Sequence, residues 1–209
     1  MIDFNSCVLW LDSKYFSESY WWDRSKYRNN GVVYGAKWKG DAFYFDGIND
    51  YIDCGNHESL AFTDSFSIEV WLLLPSYPSS WHKCKIVIKS LFSSSGNGFW
   101  LDIHPEEHTV RFRCYGGSGN HDGVFSSTAL ELNRWYHIVG VYDGAQRIFI
   151  NGEEENSGSA SYANPNTHLY LGRYSDSYTQ MKVGLVRVYN KKLSDTEIEL
   201  LYNLTHRRI

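Results

Sequence analysis

The sequence predicts an all-β fold, a two-sheet antiparallel sandwich with one short C-terminal helix. Three observations carry the prediction. Apolar residues recur with period two along most of the chain. Asp-Gly and Asn-Gly pairs separate the runs. The chain holds 16 Tyr, 11 Phe and 8 Trp against 4 Pro, a bias that suits pleated, half-buried surfaces.

The elements follow in order. Val8–Asp12 reads as an opening strand. Asp46-Gly47 is expected to join Ala42–Phe45 and Tyr51–Asp53 as a hairpin. Ile68, Val70, Leu72 and Leu74 share one face; Phe99, Leu101 and Ile103 share another, as do Val110, Phe112 and Cys114. Asp143-Gly144 joins Tyr136–Tyr142 to Arg147–Ile150, and Asn151-Gly152 closes that strand. About a dozen strands result, with no βαβ alternation and no internal repeat. Tyr77–Lys83, Leu91–Gly98, Gly116–Val124 and Glu153–Thr167 read as loops at the sheet ends. Ser194-Asp-Thr-Glu197 is a capping box, and Ile198, Leu201 and Tyr202 give the following helix an apolar stripe.

The 209 residues suit a single all-β domain spanning 1–209. Twenty-four acidic against 20 basic residues give a net charge of −4, which argues against a nucleic-acid partner. No apolar run approaches the roughly 18 residues of a membrane span. The opening residues lack a basic region followed by an apolar core, so a secretory signal is expected to be either absent or already removed. Cys7, Cys54, Cys84 and Cys114 form no Cys-x-x-Cys pair, which argues against zinc. Cys84 alternates with Ile86 and Ile88, and Cys114 with Val110 and Phe112, so both thiols are expected in the core; buried thiols and disulfides both remain open.

Six ordered blocks carry a family resemblance. Val8-Leu-Trp-Leu-Asp12 precedes Asp23-Arg-Ser-Lys-Tyr-Arg-Asn-Asn-Gly31; Phe43-Tyr-Phe-Asp-Gly-Ile-Asn-Asp-Tyr-Ile52 precedes Phe66-Ser-Ile-Glu-Val-Trp71. Trp135–Gly152 and Leu169–Tyr202 complete the order. Together they resemble the laminin-G-like and pentraxin-like jelly rolls of the concanavalin A-like lectin/glucanase superfamily, over about Val8 to Tyr202. The resemblance implies a jelly-roll sandwich and a non-catalytic, lectin-like module that binds a glycan or glycoprotein. It leaves open an adhesion or structural subunit, such as a virion coat or spike forming a homo-oligomer or surface assembly. Either role implies an extracellular or particle-surface location. Relatives that hydrolyse β-glucans carry Glu-x-Asp-x-x-Glu on one strand; this sequence lacks that spacing, so an enzyme is not expected. Glu106-Glu107 and Glu153–Glu155 read as solvated turn charge.

Calcium, as a structural ion, is the one cofactor considered, since hard cations want several oxygens. Asp23 with Asn30 lies in the segment that resembles a family loop where such calcium occurs. Leu171–Tyr178 resembles the pentraxin segment that supplies calcium ligands; Asp176 falls on a ligand position, while Tyr174 replaces a carboxylate. The paired loop offers Asn97. Asp46, Asn49 and Asp50 read as turn residues.

Alternation also predicts a binding face. Trp100, Asp102 and His104 lie opposite the core positions of one strand; Arg111, Arg113 and Tyr115 do so on the next. With Pro105–His108 as the turn, all six share one face, rings to stack on sugar C–H and polar groups to bond hydroxyls. Asn97, Tyr174 and Asp176 are expected at its margin. The same face packed against a loop or a partner chain is the competing reading.

Overall fold

The computed structural model describes residues 2–12, 14–91, 96–116 and 123–206; the expected loops around 92–95 and 117–122 lie outside the described residues. The strands are, in chain order, β1 (Cys7–Asp12), β2 (Tyr20–Trp21), β3 (Gly31–Tyr34), β4 (Lys37–Lys39), β5 (Ala42–Asp46) and β6 (Tyr51–Asp53). Then come β7 (Phe66–Leu73), β8 (Lys85–Ser90), β9 (Gly98–Ile103), β10 (Thr109–Tyr115), β11 (Val124–Ala129) and β12 (Trp135–Tyr142). The last are β13 (Ala145–Ile150), β14 (Glu153–Ser159), β15 (Tyr170–Leu171), β16 (Arg173–Tyr174), β17 (Ser177–Tyr178) and β18 (Gln180–Tyr189), followed by helix α1 (Asp195–Thr205).

Two antiparallel sheets face each other. The first runs β14-β13-β12-β7-β18-β5-β4, with β1 also on β18; the second runs β11-β10-β9-β8-β15-β6-β3-β2. Their inner faces bury Ile68, Val70, Leu72, Phe99, Leu101, Phe112, Ile138 and Val186, each fully shielded. Gly140 lies on this inner side because a Cβ there would come within 2.5 Å of the Phe112 ring. The predicted sandwich, its alternating faces and its helix are all present.

Three expectations are corrected. The Asp46-Gly47 turn is no hairpin: β5 pairs β18 and β4 in the first sheet, whereas β6 pairs β15 and β3 in the second. Four residues, 47–50, can cross between sheets because Asp50 accepts from the Asp46 amide at 2.8 Å and Gly47 takes φ 77°. The stretch after Gly152 is not all loop, since Glu153–Ser159 pairs with β13. There Glu154 pairs with Arg147, and Glu155 accepts from the Thr128 amide at 2.8 Å, so these carboxylates are not free solvated charge. Finally, a bulge between Lys85 and Val87 changes the phase of β8, bringing Val87 into the core and Ile88 into line with Trp100 and Tyr170 on the outer side.

All four cysteines are buried free thiols, which resolves the choice between thiol and disulfide. The outer side of the first sheet is covered. α1 starts with the capping box reciprocally formed, and Ile198 and Leu201 pack on Val139, Val141 and Phe149. Trp71 Nε1 donates to Thr205 Oγ1 at 2.7 Å, pinning the helix end. Beneath lies a buried polar group in which Glu69 accepts from Arg187 at 3.1 Å and from the Tyr189 hydroxyl at 3.0 Å, with His137 Nε2 at 3.2 Å. Among the described residues, no helix covers the outer side of the second sheet.

Candidate functional site

The outer side of the second sheet carries a row of rings across its strands. Tyr20 and Trp22 stack at 4.9 Å at the β2 edge. Tyr34 on β3 stacks on Tyr51 of β6 at 4.4 Å and 8°. Tyr51 lies 6.2 Å from Tyr170 on β15 and 6.1 Å from Tyr178 on β17. Across Ile88, Trp100 on β9 meets Tyr115 at 5.3 Å and Tyr174 at 5.9 Å. The hairpin of β16 and β17 joins the two halves: Arg173 lies over Tyr51 at 4.6 Å, while the adjacent Tyr174 meets Trp100 on the other side.

The six residues predicted to share a face do share it. Asp102 is paired with Arg111 in the strand register and Trp100 with Arg113. Asp102, however, is fully buried and committed. Lys85 Nζ reaches its Oδ2 at 2.5 Å, and Arg111 binds it through Nε at 3.0 Å and a terminal nitrogen at 2.8 Å. The expectation that Asp102 and Arg111 bond sugar hydroxyls is therefore corrected: they form a buried ion cluster that shapes the face from below. The cluster positions indoles. The Arg111 guanidinium sits 4.3 Å from the Trp81 ring centre, and Lys85 Nζ sits 4.7 Å from that of Trp100. Trp100 is half-buried, with Tyr174 and Tyr115 as further neighbours.

The remaining predicted residues divide. His104 Nδ1 accepts from the Glu107 amide at 3.0 Å and so organises the β9–β10 turn, with its ring edge-on to Trp81 at 4.6 Å. Burial raises the Tyr115 phenol, whose hydroxyl is bonded to Ser90. Tyr174 stacks on His82 at 5.8 Å. Asn97 lies just before β9, its carbonyl accepting from the Leu91 amide at 3.3 Å. Asp176 stands exposed in the two-residue turn between β16 and β17.

Of the residues proposed for calcium, Asp23 and Asn30 are already engaged by the chain's own donors. Asp23 is buried and both its oxygens are taken. Oδ1 accepts from the amides of Trp10 at 2.7 Å and Ser25 at 2.8 Å; Oδ2 accepts from the Ser25 hydroxyl and the Asn29 amide, each at 2.7 Å. The Asn30 amide oxygen accepts from the Asp23 N–H at 2.9 Å. Asp23 thus ties a loop to β1 with the donors a cation would have to displace. Among the described residues, no three His, Cys, Asp or Glu side chains are grouped to hold a metal, around Asp176 or elsewhere.

Sequence reasoning missed Trp81, His82, Lys85 and the half of the face around Tyr51, Tyr170 and Arg173. Lys85 was hidden because the bulge after it changes the phase of its strand. The tyrosine group had no local signal, because β6 and β15 are brought together only by the sheet order. Two hollows open on the molecule. One, of about 470 Å³, meets the row at Val32, Asp53 and His168. The other, of about 630 Å³, lies apart between Phe16, Glu18, Lys37 and Trp38.

Comparison with known proteins places this geometry. Among solved structures, a mutant Trypanosoma rangeli sialidase displaying trans-sialidase activity superposes with a TM-score of 0.75 at 17% identity, over 99% of this chain and 34% of that one. Botulinum neurotoxin type C, whose cell entry depends on interaction with two ganglioside molecules, gives 0.74 at 14% identity, over 96% and 51%. The binding domain of botulinum neurotoxin DC in complex with SialylT gives 0.75 at 16%, over 97% and 52%. The chain spans from about a third to about half of these proteins, and at such identities the likeness is one of fold. No curated protein matches by sequence. A laminin G family model matches residues 46–199, from the sheet-crossing turn into α1, and on that match the chain belongs to the concanavalin A-like lectin/glucanases superfamily.

Proposed function

We propose that the chain is a non-catalytic glycan-binding module whose site is the outer side of the second sheet. The observation that carries this reading is the row of partly exposed rings from Tyr34 to Trp100 on a broad sheet face that, among the described residues, no helix covers. Rings present flat apolar faces to sugar C–H groups, and the polar groups between them can replace part of the water a sugar gives up. Two of the structural neighbours are described with a ganglioside or SialylT partner, which supports a glycan as ligand.

Hydrolysis is disfavoured by where the carboxylates stand. Asp102 on β9 and Asp53 on β6 are three strand steps apart, or about 14 Å at the usual inter-strand spacing. Paired glycosidase carboxylates need about 5–9.5 Å. Asp102 is moreover neutralised by two cations.

A glycan array with wild-type protein, Trp81→Ala and Tyr51→Ala tests the reading. Wild type should bind a subset of glycans, and each variant should lose most of that signal while melting like wild type. Undiminished binding by both variants would move the site elsewhere, and release of reducing sugar from any bound glycan would overturn the non-catalytic assignment.

A further inference from the structure

The geometry points to Arg173, with Tyr34, Tyr51, Tyr170 and Tyr178 around it, as the subsite for the carboxylate of an acidic sugar. This rests on the glycan-binding reading above and names the ligand class that the face selects. On the same face Arg111 is committed to Asp102, and the Arg113 guanidinium lies 5.1 Å from the ring centres of both Trp100 and Tyr115. Arg173 differs. Its Nε donates to the Ser175 carbonyl at 2.8 Å, and that carbonyl is aimed back at it by the turn, where Ser175 takes φ 51°. Its guanidinium lies 4.6 Å from the Tyr51 ring centre and 5.4 Å from that of Tyr170. Nε and the ring contacts fix its plane, yet among the described residues neither terminal nitrogen meets a carboxylate or a hydrogen-bond acceptor.

The neighbouring hydroxyls are in the same state. Among the described residues, the phenol oxygens of Tyr34, Tyr51, Tyr170 and Tyr178 have no hydrogen-bond partner, although the rings contact one another. Burial raises the Tyr51 and Tyr170 phenols, so both remain protonated donors near neutral pH. A guanidinium held over rings keeps its remaining N–H groups in its own plane. That fork matches a planar carboxylate, and the rings beside it match the faces of a pyranose. The carboxylate in register with Tyr170 is Asp53, and it is already occupied: His168 Nδ1 lies 2.9 Å from each of its oxygens, and the Gly55 amide donates at 2.8 Å. Asp176, exposed on the turn, remains as the one acidic side chain within that hairpin.

The test uses one oligosaccharide in three forms: carrying a terminal sialic or uronic acid, the same with that carboxyl reduced to the alcohol, and the same carrying a sulfate instead. Titration calorimetry should give wild type about tenfold or greater preference for the carboxylated over the reduced form, the scale of one charge-assisted fork. Arg173→Gln should abolish that preference, its affinities for the carboxylated and reduced forms becoming equal, and Arg173→Lys should recover only part of it. Melting curves of both variants report whether the hairpin stays folded. Equal binding of the carboxylated and reduced forms by wild type would overturn the subsite and leave the glycan-binding reading intact. Retained preference in Arg173→Gln would do the same. Preference for the sulfated form would overturn the carboxylate assignment. Failure of all three forms, together with an empty glycan array, would remove both the subsite and the reading beneath it.

Discussion

Arg111 and Asp102 face each other across β9 and β10, and Arg111 grips the buried carboxylate through Nε at 3.0 Å and a terminal nitrogen at 2.8 Å. Lys85 binds the same carboxylate from β8, so one anion holds two cations on three adjacent strands. Each cation in turn sits against an indole, Trp81 or Trp100. The indole half of the ring face is thus built on an ion cluster.

Removing the anion should be costly. Asp102→Ala would leave Lys85 and Arg111 buried and mutually repulsive, and breaking a buried ion group in this way costs about 3–5 kcal/mol. Urea denaturation should show that loss. The triple variant Asp102→Leu, Lys85→Met and Arg111→Met should recover much of it, because an apolar replacement of the whole group leaves no stranded charge. A single variant as stable as wild type would mean that the cluster contributes no net stability.

The buried Glu69 predicts an acid limit. Burial alone would raise its carboxyl, but Arg187 above all, with His137 and Tyr189, overcomes burial and brings it from 4.5 down to about 2. A carboxyl depressed in the folded state is protonated first in the unfolded chain. Its contribution is whole above about pH 4.5 and is lost as pH falls from there toward 2. Stability measured by denaturant across that window should fall steeply for wild type. Glu69→Gln should be weaker at neutral pH, with Arg187 left uncompensated, and should show a flatter acid slope. Parallel slopes would assign the acid sensitivity to other carboxylates.

How much of this could be read beforehand follows from locality. The outward set Trp100, Asp102, His104, Arg111, Arg113 and Tyr115 was legible because strand alternation and a short turn settle which side chains share a face. The capping box was legible because its partners are three residues apart. The burial of Asp102 was not, since it depends on Lys85 from a strand whose bulge hides its phase. Nor was the Tyr51–Tyr170 contact, which joins residues distant in sequence through the insertion of β15 between β6 and β8. The Asp46-Gly47 motif supplied a turn correctly, but turn chemistry does not say whether the flanking strands pair with each other.

The thiols and the Asp23 loop give a joint prediction about what the fold does without. Burial pushes the Cys7 thiol up to about 12 and the Cys84 thiol to about 11, and all four cysteines are unbridged. Native protein should therefore react negligibly with a thiol reagent at neutral pH, and denatured protein should titrate four thiols. Because the Asp23 oxygens are saturated by the chain's own donors, excess chelator should leave the melting temperature unchanged. A drop of several degrees on chelation would show a bound cation and require the Asp23 loop to rearrange around it.

The two indoles over the ion cluster should separate packing from binding. Trp81 is 38% exposed and lies over Arg111, whereas Trp100 is half-buried with its Nε1 shielded from solvent. Trp81→Ala should change stability by less than about 1 kcal/mol, as surface truncations usually do. Trp100→Ala should cost about 2 kcal/mol, roughly half the loss at a fully buried ring. If the ring row binds glycan, both variants should lose affinity, but only Trp100→Ala should also melt early. Trp81→Ala is then the informative protein, since its fold is unperturbed. Full glycan affinity in Trp81→Ala together with loss in Tyr51→Ala would confine the ligand to the tyrosine half of the face. Loss in Trp81→Ala with full affinity in Tyr51→Ala would confine it to the indole half.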